Sequence, residues 1–174
     1  AKVQLTSWNI GEHEGEISIG KYSLITPGVR IMAAKKIVIG DACMIAHGAY
    51  ISDADWHGIY DRAEPVGKTK PVVLEDNVWI GDSAIICKGV TIGKNSIIGA
   101  GAVVTKDVPE NSVFAGNPAK QVKKLDKEKF NTRENFFEDP KKLAYDFDML
   151  DKYTLKDNSF LNWIKSLINP DNSH

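Results

Sequence analysis

Eleven consecutive residues, 52–62, hold three carboxylates (Asp53, Asp55, Asp61), an imidazole (His57), a guanidinium (Arg62) and two aromatic rings with polar edges (Trp56, Tyr60). Imidazole titrates near neutrality, so His57 can take a proton from a hydroxyl or an amine and give it back. A carboxylate beside it can fix its tautomer and support its charged form. Asp53, Asp55 and Asp61 are the candidates for that partner. Composition alone favours a plainer assignment, a surface histidine packed on Trp56 or Tyr60. The scaffold that presents the segment has to decide between the two.

That scaffold announces itself as a repeat of period six. Leu74, Ile80, Ile86, Ile92, Ile98 and Val104 stand six apart, and glycine follows several of them as Gly81, Gly93 and Gly99. The same step runs through Ile39, Ile45 and Ile51 and through Ile19, Ile25 and Ile31, with Gly20 and Gly40 after the first member of each series. Four positions after most of these aliphatics stands a small or β-branched residue: Ser23, Val29, Cys43, Ala49, Val78, Ala84, Val90, Ser96, Ala102 and Val108. The repeat covers most of residues 17–108 and takes precedence over any ordinary reading of helices and strands.

Each six-residue unit reads as a short strand and a tight turn, with the aliphatic side chain pointing into a narrow interior and three units closing one triangular coil. Glycine is expected in the turn because it accepts φ > 0 without a Cβ penalty, and the small residue fits where the interior narrows. Stacked coils pair each backbone group with the coil above or below, which an isolated six-residue strand cannot do. A β-sandwich would show turn signals every eight to twelve residues instead. The rhythm breaks between Ile51 and Leu74, a step of 23 that is not a multiple of six, so residues 52–71 are predicted to loop out. Loops of this composition on a rigid scaffold often carry function.

Composition narrows the partners. In 174 residues, 22 basic and 23 acidic side chains nearly cancel, so no long-range field gathers nucleic acid or an acidic membrane surface. No apolar run has the length of an integral membrane segment, and the first ten residues lack the basic-then-apolar pattern of a signal peptide. Cys43 and Cys87 stand at no motif spacing; they read as core or turn positions without chemistry, in keeping with a reducing, cytoplasmic location. The chain begins at Ala1 without an initiator Met.

The residues from 17 to 124 resemble the hexapeptide-repeat acyltransferases. The resemblance is sharpest in Asn77-Val78-Trp79-Ile80-Gly81, Gly89-Val90-Thr91-Ile92-Gly93, the segment from Ile98-Gly99-Ala100-Gly101 through Thr105-Lys106-Asp107-Val108-Pro109, and Ala115-Gly116-Asn117-Pro118-Ala119-Lys120. It implies an all-β fold, a left-handed parallel β-helix with a protruding loop and a C-terminal α-helical extension, assembled as a homotrimer. The branch it points to acetylates sugars, among them galactosides, maltose and surface polysaccharides, with acetyl-coenzyme A as donor. Within that resemblance residues 1–124 form the acyltransferase domain and 125–174 the extension.

The resemblance also assigns roles. His57 matches the histidine that serves as general base, with Asp53, Asp55, Trp56, Tyr60, Asp61 and Arg62 around the acceptor. Gly81, Ala100, Thr105 and Lys106 match the groove that holds pantetheine. Lys120 and Lys123 match basic positions that meet the phosphates, whereas Lys124 and Lys127 read as solubility residues. Trp79 matches a tryptophan near the thioester, or else packs at a subunit contact. Upstream of His57 the stretch Leu24-Ile25-Thr26-Pro27-Gly28-Val29 departs from the sugar O-acetyltransferases, so neither galactosides nor maltose carries over as acceptor. A sugar hydroxyl is the expected acceptor; an amino-sugar nitrogen, or a scaffold protein without catalysis, is the alternative.

The γ-class carbonic anhydrases share the implied fold and bind zinc through three histidines. Here His47 and His57 are ten residues apart, His13 precedes the clear repeat and His174 ends the chain, so no third ligand stands at a suitable position and no metal is expected. His47 reads as an ordinary turn residue, the alternative being that it faces a neighbouring subunit or lines the acceptor pocket. Beyond Lys124, Asp139-Pro140 predicts the start of a helix through Leu143, Phe147 and Leu150. A second helix begins near Ser159 and carries Phe160, Trp163, Ile164, Leu167 and Ile168 before Pro170. These apolar spacings call for a partner surface, the coil itself or a trimer neighbour. A membrane contact is the weaker alternative, since Lys165 is the second helix's single basic residue.

Overall fold

The computed structural model describes residues 2–126, 130–156 and 159–168. Lys127, Pro170 and His174 lie outside the described residues, as do the side chains of Trp163, Lys165 and Leu167.

Strands two to four residues long alternate with turns, and successive strands pass to successive sheets. The first face orders Gln4–Ser7, Arg30–Ala33, Tyr50–Ser52, Ile85–Ile86 and Val103–Val104. The second orders Glu16–Ile19, Lys36–Ile39, Val72–Leu74 and Thr91–Ile92. The third runs from Leu24–Ile25 through Met44–Ile45, Trp79–Ile80 and Ile97–Ile98 to Ser112–Ala115. Pairing within each face is parallel, and the register joins repeat to repeat: Ile45 with Ile80, Ile80 with Ile98, Ile51 with Ile86 and Ile86 with Val104. Each stretch from one face to the next and back thus forms one turn of a three-faced winding.

The aliphatic positions fill the interior. Ile31, Ile39, Ile45, Ile51, Leu74, Ile80, Ile86, Ile92 and Ile98 are buried, each contributing about 1.5–3 kcal/mol of transfer free energy. The small positions Val29, Cys43, Ala49, Val78, Ala84, Val90, Ser96, Ala102 and Val108 are buried beside them. Ile19 departs from the expectation: it lies in the terminal strand of the second face and is 40% exposed. Ile17 of the same strand packs against the core instead.

The glycines that directly follow the aliphatics do something other than the sequence suggested, whereas Gly28, Gly48 and Gly89 take the expected positive φ in their turns. Gly20, Gly40, Gly81, Gly93 and Gly99 are absent from the positive-φ positions; the left-handed conformation falls two residues later, at Tyr22, Ala42, Ser83, Asn95 and Gly101. What Gly81 supplies is close approach, because a Cβ there would lie 2.6 Å from Ala100 N and 2.6 Å from Ile98 O of the next coil. Both are backbone atoms, and Ile98 O is held in the ladder by Gly81 N at 2.8 Å, so they cannot swing aside as a flexible side chain could. Gly81→Ala is therefore expected to cost about 1–3 kcal/mol through forced separation of two coils, read as a lowered urea midpoint at unchanged slope. In the later coils asparagine carries the left-handed turn that leads into the third face, whereas Tyr22 and Ala42 carry it in the first two. Asn77, Asn95 and Asn111 all have positive φ and form a ladder, Asn77 Nδ2 donating to Asn95 Oδ1 at 3.0 Å and Asn95 Nδ2 to Asn111 Oδ1 at 2.9 Å.

The winding ends in an antiparallel hairpin that the repeat did not foretell. Lys120–Lys124 turns back on Ser112–Ala115 through a segment with a cis Asn117–Pro118 peptide. The chain then returns to the first coil, where Arg133 Nε donates to Tyr22 O at 3.2 Å.

Two compact units result, Ala1–Glu134 and Asn135–His174. The second holds α1 (Pro140–Leu155) and α2 (Phe160–Ile168). Asp139 caps α1 as the sequence implied, its carboxylate accepting from Lys141 N at 3.1 Å and Lys142 N at 3.0 Å. Ser159 caps α2 by accepting from Asn162 N at 3.2 Å. No described helix is long and apolar enough to cross a membrane.

Candidate functional site

The loop leaves the winding between the first and second faces. Asp55 N donates to Lys68 O at 3.0 Å, Gly67 N to Asp55 O at 2.8 Å and Lys70 N to Asp53 O at 2.9 Å, with Ala54 and Thr69 in an antiparallel bridge. These bonds make a two-stranded neck. Ala54 and Val66 form a small apolar cluster with Ala34 of the preceding coil, and Trp56 packs on it. Trp56 Nε1 donates to Tyr50 Oη at 2.9 Å, and its ring meets that of Trp8 at a centroid distance of 5.8 Å. Arg30 stacks 4.8 Å over the Tyr50 ring. His57 follows directly on these fixed residues.

The three carboxylates have partners other than the imidazole. Asp53 is buried and spends both oxygens on the preceding coil, accepting from Ala34 N at 2.7 Å, Lys35 N at 2.8 Å and Lys36 N at 2.6 Å. Asp55 forms a half-buried ion pair with Lys88 Nζ at 2.5 Å. Asp61 accepts from Ala63 N at 2.9 Å, closing a turn within the loop. Among the described residues none hydrogen-bonds to the His57 side chain, so the expected carboxylate–imidazole pair is not formed in this chain. His57, Tyr60 and Arg62 are exposed.

The residues matched to the donor fall in two places. Thr105 and Lys106 are exposed at the corner between the first and second faces, the corner from which the loop departs. Gly81 and Ala100 lie at the opposite end of the first face, Gly81 buried and Ala100 exposed. Trp79 stands on the third face, 45% exposed, in register with Met44 and Ile97. Lys120 and Lys123 lie exposed on the closing strand of that face. A single chain therefore sets the loop bearing His57, and Thr105 and Lys106 two coils further on, along one corner, and Trp79, Lys120 and Lys123 on another face.

Three contributors to the loop's base escaped the sequence. Tyr50 and Arg30 occupy outward positions beside inward aliphatics, and their alternation with Ile51 and Ile31 was the available signal. Lys88 sits on the coil after the loop, and nothing in its neighbourhood of sequence points to Asp55. The cysteines are poor nucleophiles: burial pushes the Cys43 thiol up to about 11, and its Sγ donates to Glu75 O at 3.1 Å. Burial also raises Cys87, against the opposing effect of the Lys88 ammonium. His47 is exposed, and a Cβ on Gly28 would approach its Cε1 to 2.7 Å, so it fills a turn in the manner expected.

Residues 71–106 match the family described as bacterial transferase hexapeptide (six repeats). A putative acetyltransferase of Saccharomyces cerevisiae is 38% identical over 134 residues, which span 72% of this chain and 64% of that protein. The galactoside O-acetyltransferase of Escherichia coli is 36% identical over 111 residues, spanning 63% of this chain and 54% of that one. The chain thus covers less than two thirds of the length of these curated relatives. A solved hexapeptide-repeat-containing acetyltransferase of Vibrio cholerae O1 biovar eltor, complexed with acetyl coenzyme A, superposes with a TM-score of 0.60 at 32% identity, over 71% of this chain and 70% of that one. With the three-faced winding, the six-residue core register and these likenesses together, the chain belongs to the hexapeptide-repeat acetyltransferase family.

Proposed function

We propose that the protein transfers the acetyl group of acetyl-coenzyme A to a hydroxyl of a sugar or sugar-containing acceptor, with His57 as general base. The observation that carries this is the exposed imidazole of His57 on a rigidly necked loop, at the corner that also presents Thr105 and Lys106. The acetyl-coenzyme A complex of the Vibrio cholerae relative supports the donor, and the galactoside enzyme of Escherichia coli supports a sugar acceptor.

In this mechanism His57 takes the hydroxyl proton as the acceptor oxygen attacks the thioester carbonyl. A tetrahedral oxyanion forms, and its collapse expels the thiolate of coenzyme A, which takes the proton back from the imidazolium. Since the three aspartates have other partners, the acceptor site itself or a neighbouring subunit completes the imidazole's hydrogen bonding. Tyr60 and Arg62 are the exposed polar side chains for the acceptor, with Trp56, Asp53, Asp55 and Asp61 shaping the loop beneath them.

The same reading takes the winding as left-handed, residues 1–124 as the acyltransferase domain and 125–174 as its helical extension. A homotrimer would set the loop of one subunit against the face carrying Trp79, Gly81, Ala100, Lys120 and Lys123 of the next. Two unpaired cysteines suit a cytoplasmic setting.

The test is thiol release from acetyl-coenzyme A in the presence of free and nucleotide-linked sugars and their amino analogues. Release that depends on a sugar hydroxyl is expected. Release with amino sugars alone moves the reaction to nitrogen, and failure to bind coenzyme A removes the enzyme reading.

A further inference from the structure

Lys88 is the residue whose contact the proposed chemistry leaves unexplained. It lies on the coil that follows the loop, in the turn Cys87-Lys88-Gly89, and its ammonium reaches the Asp55 carboxylate at 2.5 Å with both side chains about 30% exposed. Asp55 is the pivot of the neck, since its N–H goes to Lys68 O and its carbonyl accepts from Gly67 N. Trp56, the next residue, is tied to Tyr50. From the coil on the other side, the amides of Ala34, Lys35 and Lys36 hold Asp53. Both neighbouring coils therefore grip the four residues that lead into His57, one through Asp53 and the other through the Lys88–Asp55 pair. The turn beside it is closed as well: Gly89 N donates to Lys70 O at 3.1 Å, and a Cβ on Gly89 would lie 2.8 Å from Lys70 Cδ.

We infer that Lys88 is a positioning residue for His57, acting through Asp55 to fix the loop's angle against the coil. The inference rests on the acetyl-transfer reading given above. Lys88 touches no reacting atom in this role. A half-exposed ion pair adds little to global stability, so its removal should leave the coil intact and loosen the loop. Misplacement of a base by even a fraction of an ångström is felt in the chemical step and not in binding of the donor.

The test compares Lys88→Met, Lys88→Arg, Asp55→Asn and the double variant Asp55→Asn/Lys88→Met in the full chain, by steady-state kinetics and by amide hydrogen exchange over residues 56–66. Lys88→Met is expected to lower kcat about tenfold with the KM for acetyl-coenzyme A unchanged, and to speed exchange in the loop. Lys88→Arg, which keeps the cation, should restore both. The double variant should cost no more than Lys88→Met, because each change removes the same contact. Active parent protein with kcat and loop exchange unchanged in Lys88→Met overturns the positioning role alone, as does a double loss equal to the product of the single losses. A parent that transfers no acetyl group overturns the acetyl-transfer reading and the role in it together.

Discussion

Replacing His57 by alanine is expected to lower kcat for acetyl transfer about a thousandfold, while the KM for acetyl-coenzyme A stays near that of the parent. General bases contribute mainly in the transition state, when the acceptor oxygen gives up its proton, so the loss should appear in turnover and not in donor binding. The side chain is exposed and bonds to no described residue, so the variant should fold and melt like the parent. That separation makes the result interpretable: steady-state rates over a range of acceptor concentrations, beside a thermal melt, distinguish lost chemistry from lost structure. Turnover equal to the parent's on the best acceptor would remove His57 from the mechanism and leave it a surface histidine.

Asp53→Ala is expected to be the most damaging substitution to the loop's foundation, costing about 3–4 kcal/mol of stability and nearly all turnover. The carboxylate is buried and receives three backbone N–H groups from residues 34–36. Deleting it strands the buried Ala34 N–H and takes from the N–H groups of Lys35 and Lys36, on the more exposed side of the turn, their shared acceptor. Asp53→Asn is expected to fall between, since one carboxamide oxygen can replace part of the bonding while its NH₂ meets an N–H group. Urea unfolding gives the stability change, and limited proteolysis shows whether cleavage concentrates within 52–71. A stable Asp53→Ala protein with an uncut loop would mean that these amides find other acceptors.

Asp53 also marks the boundary of what sequence can disclose. A carboxylate four residues before a histidine looks like its partner, because proximity along the chain is the sequence's single measure of distance. The fold sets a different neighbour, the turn 17–19 residues upstream, which the winding lays directly against it. Lys88 is hidden for the same reason, lying 33 residues from Asp55. The interior was legible because it repeats: every inward position asks for nearly the same volume, and Ile80, Ile86, Ile92 and Ile98 state that demand openly. Glycine carried an ambiguity that pattern could not resolve. Both a left-handed turn and a close backbone approach call for a missing Cβ, and at Gly81 the second requirement is the one that applies. The antiparallel return of Lys120–Lys124 was unreadable because it comes after the last repeat, where periodicity has nothing more to say.

The register across the loop has a wider meaning. Ile85 pairs with Val103, 18 positions on, while Tyr50 pairs with Ile85, 35 positions on, and both pairs belong to one uninterrupted sheet. The register records no trace of the 17 surplus residues. Chain length is thus a conserved quantity on the faces and a free one at this corner. Evolution or design can treat the corner as a socket, exchanging the inserted segment while the lattice of coils beneath it stays as it is.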